Sequence, residues 1–171
     1  MRASARVRPE KVVLVLMGVC GCGKTTVGEA LARAIGCRFL DADEFHPAAN
    51  VDKMASGVPL TDDDRWPWLD IIADELARVL ASGEHAVLAC SALKEAYRQR
   101  LKRAGDVRIV YLEGDEATIA ARLASRQHKY MPPTLLPSQF AALEEPADAL
   151  LVDIREPVAA QVERIREAFK V

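Results

Sequence analysis

Apolar positions along the chain fall into two kinds of pattern. The continuous run Val12–Met17 is what a strand buried on both faces of a parallel sheet requires, and Ala86–Cys90, Val107–Leu112 and Leu150–Ile154 read as further strands. Arg38–Leu40, ending at Asp41, reads as a shorter strand. Between these runs the apolar residues recur at helical spacing. Val27, Leu31, Ala34 and Ile35 mark a helix over Lys24–Ile35, stopped by Gly36. Trp68, Ile71, Ile72, Leu76, Val79 and Leu80 mark another over Pro67–Ala81, with Pro67 at its first position. Pro47–Ala55 (closed by Gly57), Ala92–Ala104, Glu116–Gln127 and Pro157–Phe169 complete the predicted helices. Strand and helix alternate about five times, so the expectation is an α/β domain on a parallel sheet. Residues 128–137, with Pro132, Pro133 and Pro137, interrupt the alternation and read as a functional loop.

Composition bounds this picture without changing it. A chain of 171 residues, 50% apolar and 28% charged, suits one folded domain that needs neither disulfide nor metal to hold its core. Cys20, Cys22, Cys37 and Cys90 form no C-x-x-C pair, and free thiols point to the reducing cytoplasm. Residues 1–10 carry Arg2, Arg6 and Arg8 and read as a flexible basic leader. The apolar run behind them is too short for a secretory signal and runs straight into a glycine-rich loop. No segment reaches the roughly 18 apolar residues of a membrane span.

That loop, Gly18-Val19-Cys20-Gly21-Cys22-Gly23-Lys24-Thr25, satisfies G-x-x-x-x-G-K-[ST] in full, with a strand before it and a helix after it. Glycines let successive backbone N–H groups turn toward phosphate oxygens, and the following helix adds its positive end. Lys24 is then placed for the β- and γ-phosphates, Thr25 for Mg²⁺, and Thr26 beside them. The motif predicts binding of a nucleotide with Mg²⁺ but not a reaction.

Leu40-Asp41-Ala42-Asp43 closes the second strand, where ligands of α/β sheets bind. One aspartate is a candidate for Mg²⁺ and the other for a proton acceptor, against the alternative of two turn-forming aspartates. The net charge of −2 hides a division: residues 41–75 carry −8 and residues 91–130 carry +4. Asp62–Asp64 suit a helix start. Arg65, set among them, reads either as an anion clamp or as a surface ion pair with a neighbouring aspartate. The basic stretch has helical spacing and no aromatic run, so nucleic acid is not the expected partner.

Taken together these residues resemble the gluconokinases. The likeness rests on the loop Met17–Thr25, on Leu40-Asp-Ala-Asp-Glu-Phe-His-Pro47, and on Asn50-Val-Asp-Lys-Met-Ala-Ser-Gly57. It continues through Pro59-Leu-Thr-Asp-Asp-Asp-Arg65 with Pro67-Trp68-Leu69, then Cys90-Ser-Ala-Leu-Lys94 with Tyr97-Arg98, and Tyr111-Leu-Glu-Gly114. Ser138-Gln-Phe140 with Leu143-Glu144 ends it, so it spans about residues 11–155. The resemblance implies a P-loop kinase domain over 11–171, with a five-stranded parallel sheet flanked by helices and a lid at about 126–137. It implies MgATP as donor, D-gluconate as acceptor, 6-phospho-D-gluconate as product, and compatibility with a homodimer, with no nucleic acid or membrane partner.

By the same resemblance Asp43 binds the acceptor and takes its proton, Arg65 grips the acceptor carboxylate, and His46, Ser91 and Lys94 line its pocket. With Asp43 so assigned, Asp41 is left as the strand-end aspartate that joins Thr25 as a candidate for the metal. Arg122 and Arg126 match the R-x-x-x-R start of the lid and meet the nucleotide, Arg126 at its phosphates. The enzymatic rival is a kinase of another small hydroxy acid such as shikimate; the non-enzymatic one is an ATP-driven binding switch.

Overall fold

The computed structural model describes residues 10–125 and 135–171. The proposed leader, except Glu10, and residues 126–134 of the proposed lid lie outside them, Arg126 included. Five strands form one parallel sheet in the order β2-β3-β1-β4-β5: β1 Val13–Met17, β2 Arg38–Asp41, β3 Ala86–Ala89, β4 Val107–Glu113 and β5 Leu150–Asp153. The helices are α1 Lys24–Ile35, α2 Ala48–Ala55, α3 Asp62–Ala81, α4 Glu95–Lys102, α5 Glu116–Ala124, α6 Leu136–Ala142 and α7 Val158–Phe169.

Side chains alternate across β1, so Val13, Val15 and Met17 face one layer while Leu14 and Leu16 face the other. The first layer packs α3 and α4 through Leu69, Ile72, Leu76 and Leu101; the second packs α1, α5 and α7 through Leu31, Ile119 and Ile165. With both faces covered, all five residues of β1 are buried. Neighbours β2, β3 and β1 release three loops side by side at their C-terminal ends. This sheet edge collects the acidic segment, the segment after Cys90 and the glycine-rich loop.

The helix placed over Pro67–Ala81 begins five residues earlier. Thr61 accepts from the Asp64 N–H while the Asp64 carboxylate accepts from the Thr61 N–H, a reciprocal cap that fixes the start at Asp62. Pro67 therefore lies inside α3, near enough to its beginning that only the Asp63 carbonyl loses a helical partner. The helix placed over Ala92–Ala104 is shorter than expected, because Ala92 takes φ 44 and the chain turns before entering α4 at Glu95. Part of the proline-rich segment is helical: α6 starts at Leu136 with Pro137 in its first turn, where a missing N–H costs nothing.

Candidate functional site

The glycine-rich loop joins β1 to α1 with Gly18, Gly21 and Gly23 at φ 151, 85 and 97. At Gly21 a side chain would also meet Leu123 of α5, 2.8 Å from where its Cβ would lie. The Lys24 ammonium curls back onto the Gly18 and Val19 carbonyls at 2.9 and 3.0 Å. Cys22 is buried beneath the loop, and Thr25 and Thr26 open to solvent on the first turn of α1.

Two hydrogen bonds tie the loop to its surroundings. The Gly18 N–H donates to the Ser91 carbonyl at 3.2 Å, and the Cys20 N–H donates to Gln139 Oε1 of α6 at 2.6 Å. Burial raises the pKa of the Cys20 thiol and pushes that of Cys90 up to about 12, so neither is a ready thiolate.

Asp41 ends β2 and caps the short turn behind it, one carboxylate oxygen accepting from the Asp43 N–H at 3.0 Å. It thus has the turn-forming role weighed for it, with its second oxygen still a hard donor. Asp43 is exposed at the crevice, with protein on one side of its carboxylate. That partial desolvation, followed by the negative charge of Asp41, raises its pKa against the opposing pull of His46 and Lys24.

His46 stacks on Trp68, with ring centroids 4.2 Å apart. Its Nδ1 lies 3.3 Å from the amide nitrogen of Asn50, which can only donate, so the ring proton is assigned to Nε2. Burial lowers its pKa, and Arg65 adds to this against Asp43, so the ring is neutral near pH 7. These mutual influences place Lys24, Asp43, His46 and Arg65 in one continuous electrostatic field.

Arg65 and Lys94 arrive from α3 and from the residue before α4. Arg65 Nη1 is 3.7 Å from Asp62 and 3.4 Å from the Tyr97 hydroxyl; Lys94 Nζ is 3.3 Å from Asp62. Both cations lie 5.7 Å from the Tyr97 ring centroid, and the Tyr97 hydroxyl donates to Asp62. Arg65 accordingly makes the weighed ion pair with a neighbouring aspartate while remaining beside the crevice. Arg122, at the end of α5, donates to the Ile154 carbonyl beyond β5.

Asp62, Tyr97, Gln139 and Arg98 were not singled out for the site from the sequence, Asp62 being read only as part of a helix start. Arg98 is 1% exposed and donates to the carbonyls of Ala92 (2.7 Å), Leu93 (3.1 Å) and Glu144 (2.8 Å), pinning the turn before α4 to the segment after α6. Its place beside Tyr97 and three residues before Leu101, on the apolar side of α4, was the one available signal.

A P-loop beside a carboxylate that follows β2, with one cation on α3 and another just before α4, is the arrangement of a small-molecule P-loop kinase. A family model described as AAA domain matches residues 13–150. The chain is 41% identical over 159 residues to the thermosensitive gluconokinase of Escherichia coli K12, covering 90% of this chain and 85% of that protein. It is 50% identical over 137 residues to the gluconokinase of Gluconobacter oxydans 621H, covering 79% and 76%. A crystal structure of a gluconokinase from Sinorhizobium meliloti 1021 superposes with a TM-score of 0.81 at 41% identity, covering 95% of this chain and 93% of that one. The chain belongs to the gluconokinase family.

Proposed function

We propose that this protein transfers the γ-phosphoryl group of MgATP to D-gluconate, giving 6-phospho-D-gluconate and ADP. The observation that carries the reading is that Lys24, Asp43, His46 and Arg65 lie close enough to feel one another's charge, with Lys94 joined to Arg65 through Asp62, in a chain of gluconokinase ancestry. One end suits polyphosphate, the other suits a carboxylate, and a base stands between them.

The loop amides from Val19 to Thr26 and the Lys24 ammonium hold the phosphates, with Arg122 and Arg126 assigned to the nucleotide by resemblance. Magnesium fits the donors present. Thr25 and Asp41 offer hard oxygens, and Mg²⁺ is ordinarily held by one or two protein oxygens together with substrate phosphates and water. Among the described residues no group of three or more His, Cys, Asp or Glu would form a separate protein cage. When bound, the ion neutralises charge on the transferring phosphoryl group.

Asp43 accepts the proton of the acceptor hydroxyl, and its raised pKa brings it nearer the working pH, as an efficient base requires. Arg65 and Lys94 grip the carboxylate at the far end, while neutral His46 and Ser91 line the path between. The reading includes a cytoplasmic enzyme acting on free substrates. Among the described residues no helix is long and apolar enough to cross a membrane.

The test is ADP formation with MgATP and gluconate, shikimate, 2-keto-gluconate or no acceptor. Turnover with gluconate alone is expected. Turnover only on another acid would overturn the substrate while leaving the kinase, and ATP binding without turnover on any acid would favour a switch.

A further inference from the structure

The cationic pair at the acceptor end is not empty of negative charge. Asp62 stands between Arg65 and Lys94 at 3.7 and 3.3 Å, longer than the 2.7–2.9 Å of a tight charge-assisted bond. The Tyr97 hydroxyl makes the shortest bond to it, while Lys94 reaches its two oxygens only at 3.4 and 3.3 Å. The carboxylate is half exposed and the cations about one third exposed, so all three reach the crevice. Burial and the neighbouring Asp62 keep Tyr97 a phenol, so the cluster carries a net single positive charge.

Asp62 is not needed for the fold of α3. Thr61 and Asp64 supply the cap, and Asp62 only adds one more acid to a first turn that already holds Asp63 and Asp64. We propose that Asp62, oriented by Tyr97, is a specificity residue that keeps the Arg65–Lys94 clamp a carboxylate site and prevents it from becoming a phosphate site. A substrate carboxylate brings one negative charge and neutralises the cluster. A phosphate dianion would leave it negative, and a clamp without Asp62 would match the dianion in charge.

This matters for the reaction because the product has both heads. A bare pair of cations would draw the phosphate end of 6-phosphogluconate into the carboxylate position, binding product in reverse. Other sugar phosphates would compete there in the same way. Like charge at about 4 Å near a protein surface is worth on the order of tenfold or more in affinity. The inference rests on Arg65 and Lys94 being the carboxylate clamp.

The test compares the wild type with Asp62→Asn, and with Asp62→Ser should the first fail to melt cooperatively. The readouts are the gluconate KM at saturating MgATP and the Ki of 6-phosphogluconate and of inorganic phosphate against gluconate. The expected result is that Ki for both phosphates falls about tenfold relative to the gluconate KM. Tyr97→Phe, which keeps the charge of Asp62, is expected to shift the gluconate KM while leaving that ratio within twofold. An unchanged ratio in Asp62→Asn overturns the proposal, as does a gluconate KM raised more than tenfold, which would make Asp62 a direct ligand of acceptor hydroxyls. Calorimetric binding of inorganic phosphate to both proteins reads the same selectivity without turnover. Failure of the gluconate assay is thereby kept apart from failure of this inference.

Discussion

At the scale of single residues the chemistry turns on Asp43, whose raised pKa has two causes that act in the same direction, desolvation and Asp41. A base so placed acts on the acceptor and not on the nucleotide. Asp43→Asn keeps the shape but replaces one acceptor oxygen by a donor nitrogen and cannot take the proton. We expect kcat to fall by about 10²–10⁴ with ATP affinity unchanged within twofold, measured by steady-state turnover and by titration with a non-hydrolysable ATP analogue. Equal losses in both would assign Asp43 a structural role. The residues of the glycine-rich loop were legible in the sequence because their work is done by consecutive backbone groups, so spacing alone encodes it. Asp62 and Gln139 were not, because their partners Tyr97 and Cys20 stand 35 and 119 residues away. No local pattern records such a meeting.

Among the elements, α3 shows how local chemistry overrides a familiar rule. Proline at a first helical position is the commoner arrangement, yet the Thr61–Asp64 cap lies upstream and sets the start. The sequence does contain that signal, a threonine followed three residues on by an aspartate, but the box is ordinarily recognised by glutamate or glutamine at the third position. Thr61→Ala is expected to destabilise the protein by about 1 kcal/mol in urea unfolding, with the slope of the transition unchanged.

Asp64 adds a pH dependence whose sign is fixed. Its hydrogen bond from Lys53, then that from the Thr61 N–H, lowers its pKa from 3.8 to about 2. The contribution is therefore fully present above the ordinary aspartate value and is lost as pH falls from 3.8 toward 2. Asp64→Asn should be less stable at pH 7 and should lose less on acidification over that window. Parallel melting curves for the two proteins across it would exclude the assignment. Arg98 makes the opposite demand on α4. Its removal leaves three inward carbonyls short of a donor, and Arg98→Met is expected to cost about 3 kcal/mol or more and to raise the gluconate KM by loosening the turn that carries Lys94.

For the whole molecule, the acidic and basic halves seen in the sequence meet across α3 and α4. Arg100 grips Asp70 with two bonds at 2.6 and 2.9 Å, and Lys94 faces Asp62, so the two blocks face each other rather than separate partners. A second continuity links the two ends of the site. The glycine-rich loop is joined to the acceptor side through Gly18 and Ser91, and to α6 through Cys20 and Gln139. From α6 the chain returns to the acceptor side, where the Glu144 N–H donates to the Leu93 carbonyl at 2.8 Å and Arg98 holds the Glu144 carbonyl.

A nucleotide that orders the loop therefore also orders the turn before α4, and the two substrates should favour each other's binding. Coupling of this kind is typically worth 1–3 kcal/mol, or about 5–150-fold, and it is reciprocal. A non-hydrolysable ATP analogue should tighten gluconate at least fivefold, and gluconate should tighten the analogue by the same factor. Gln139→Leu removes the acceptor of the Cys20 N–H while keeping the bulk of the side chain, so the coupling should shrink toward unity with each substrate still binding alone. The four dissociation constants of that cycle, measured by calorimetry in both proteins, decide it: an undiminished factor in Gln139→Leu would mean that the coupling runs through Gly18 and Ser91 without α6.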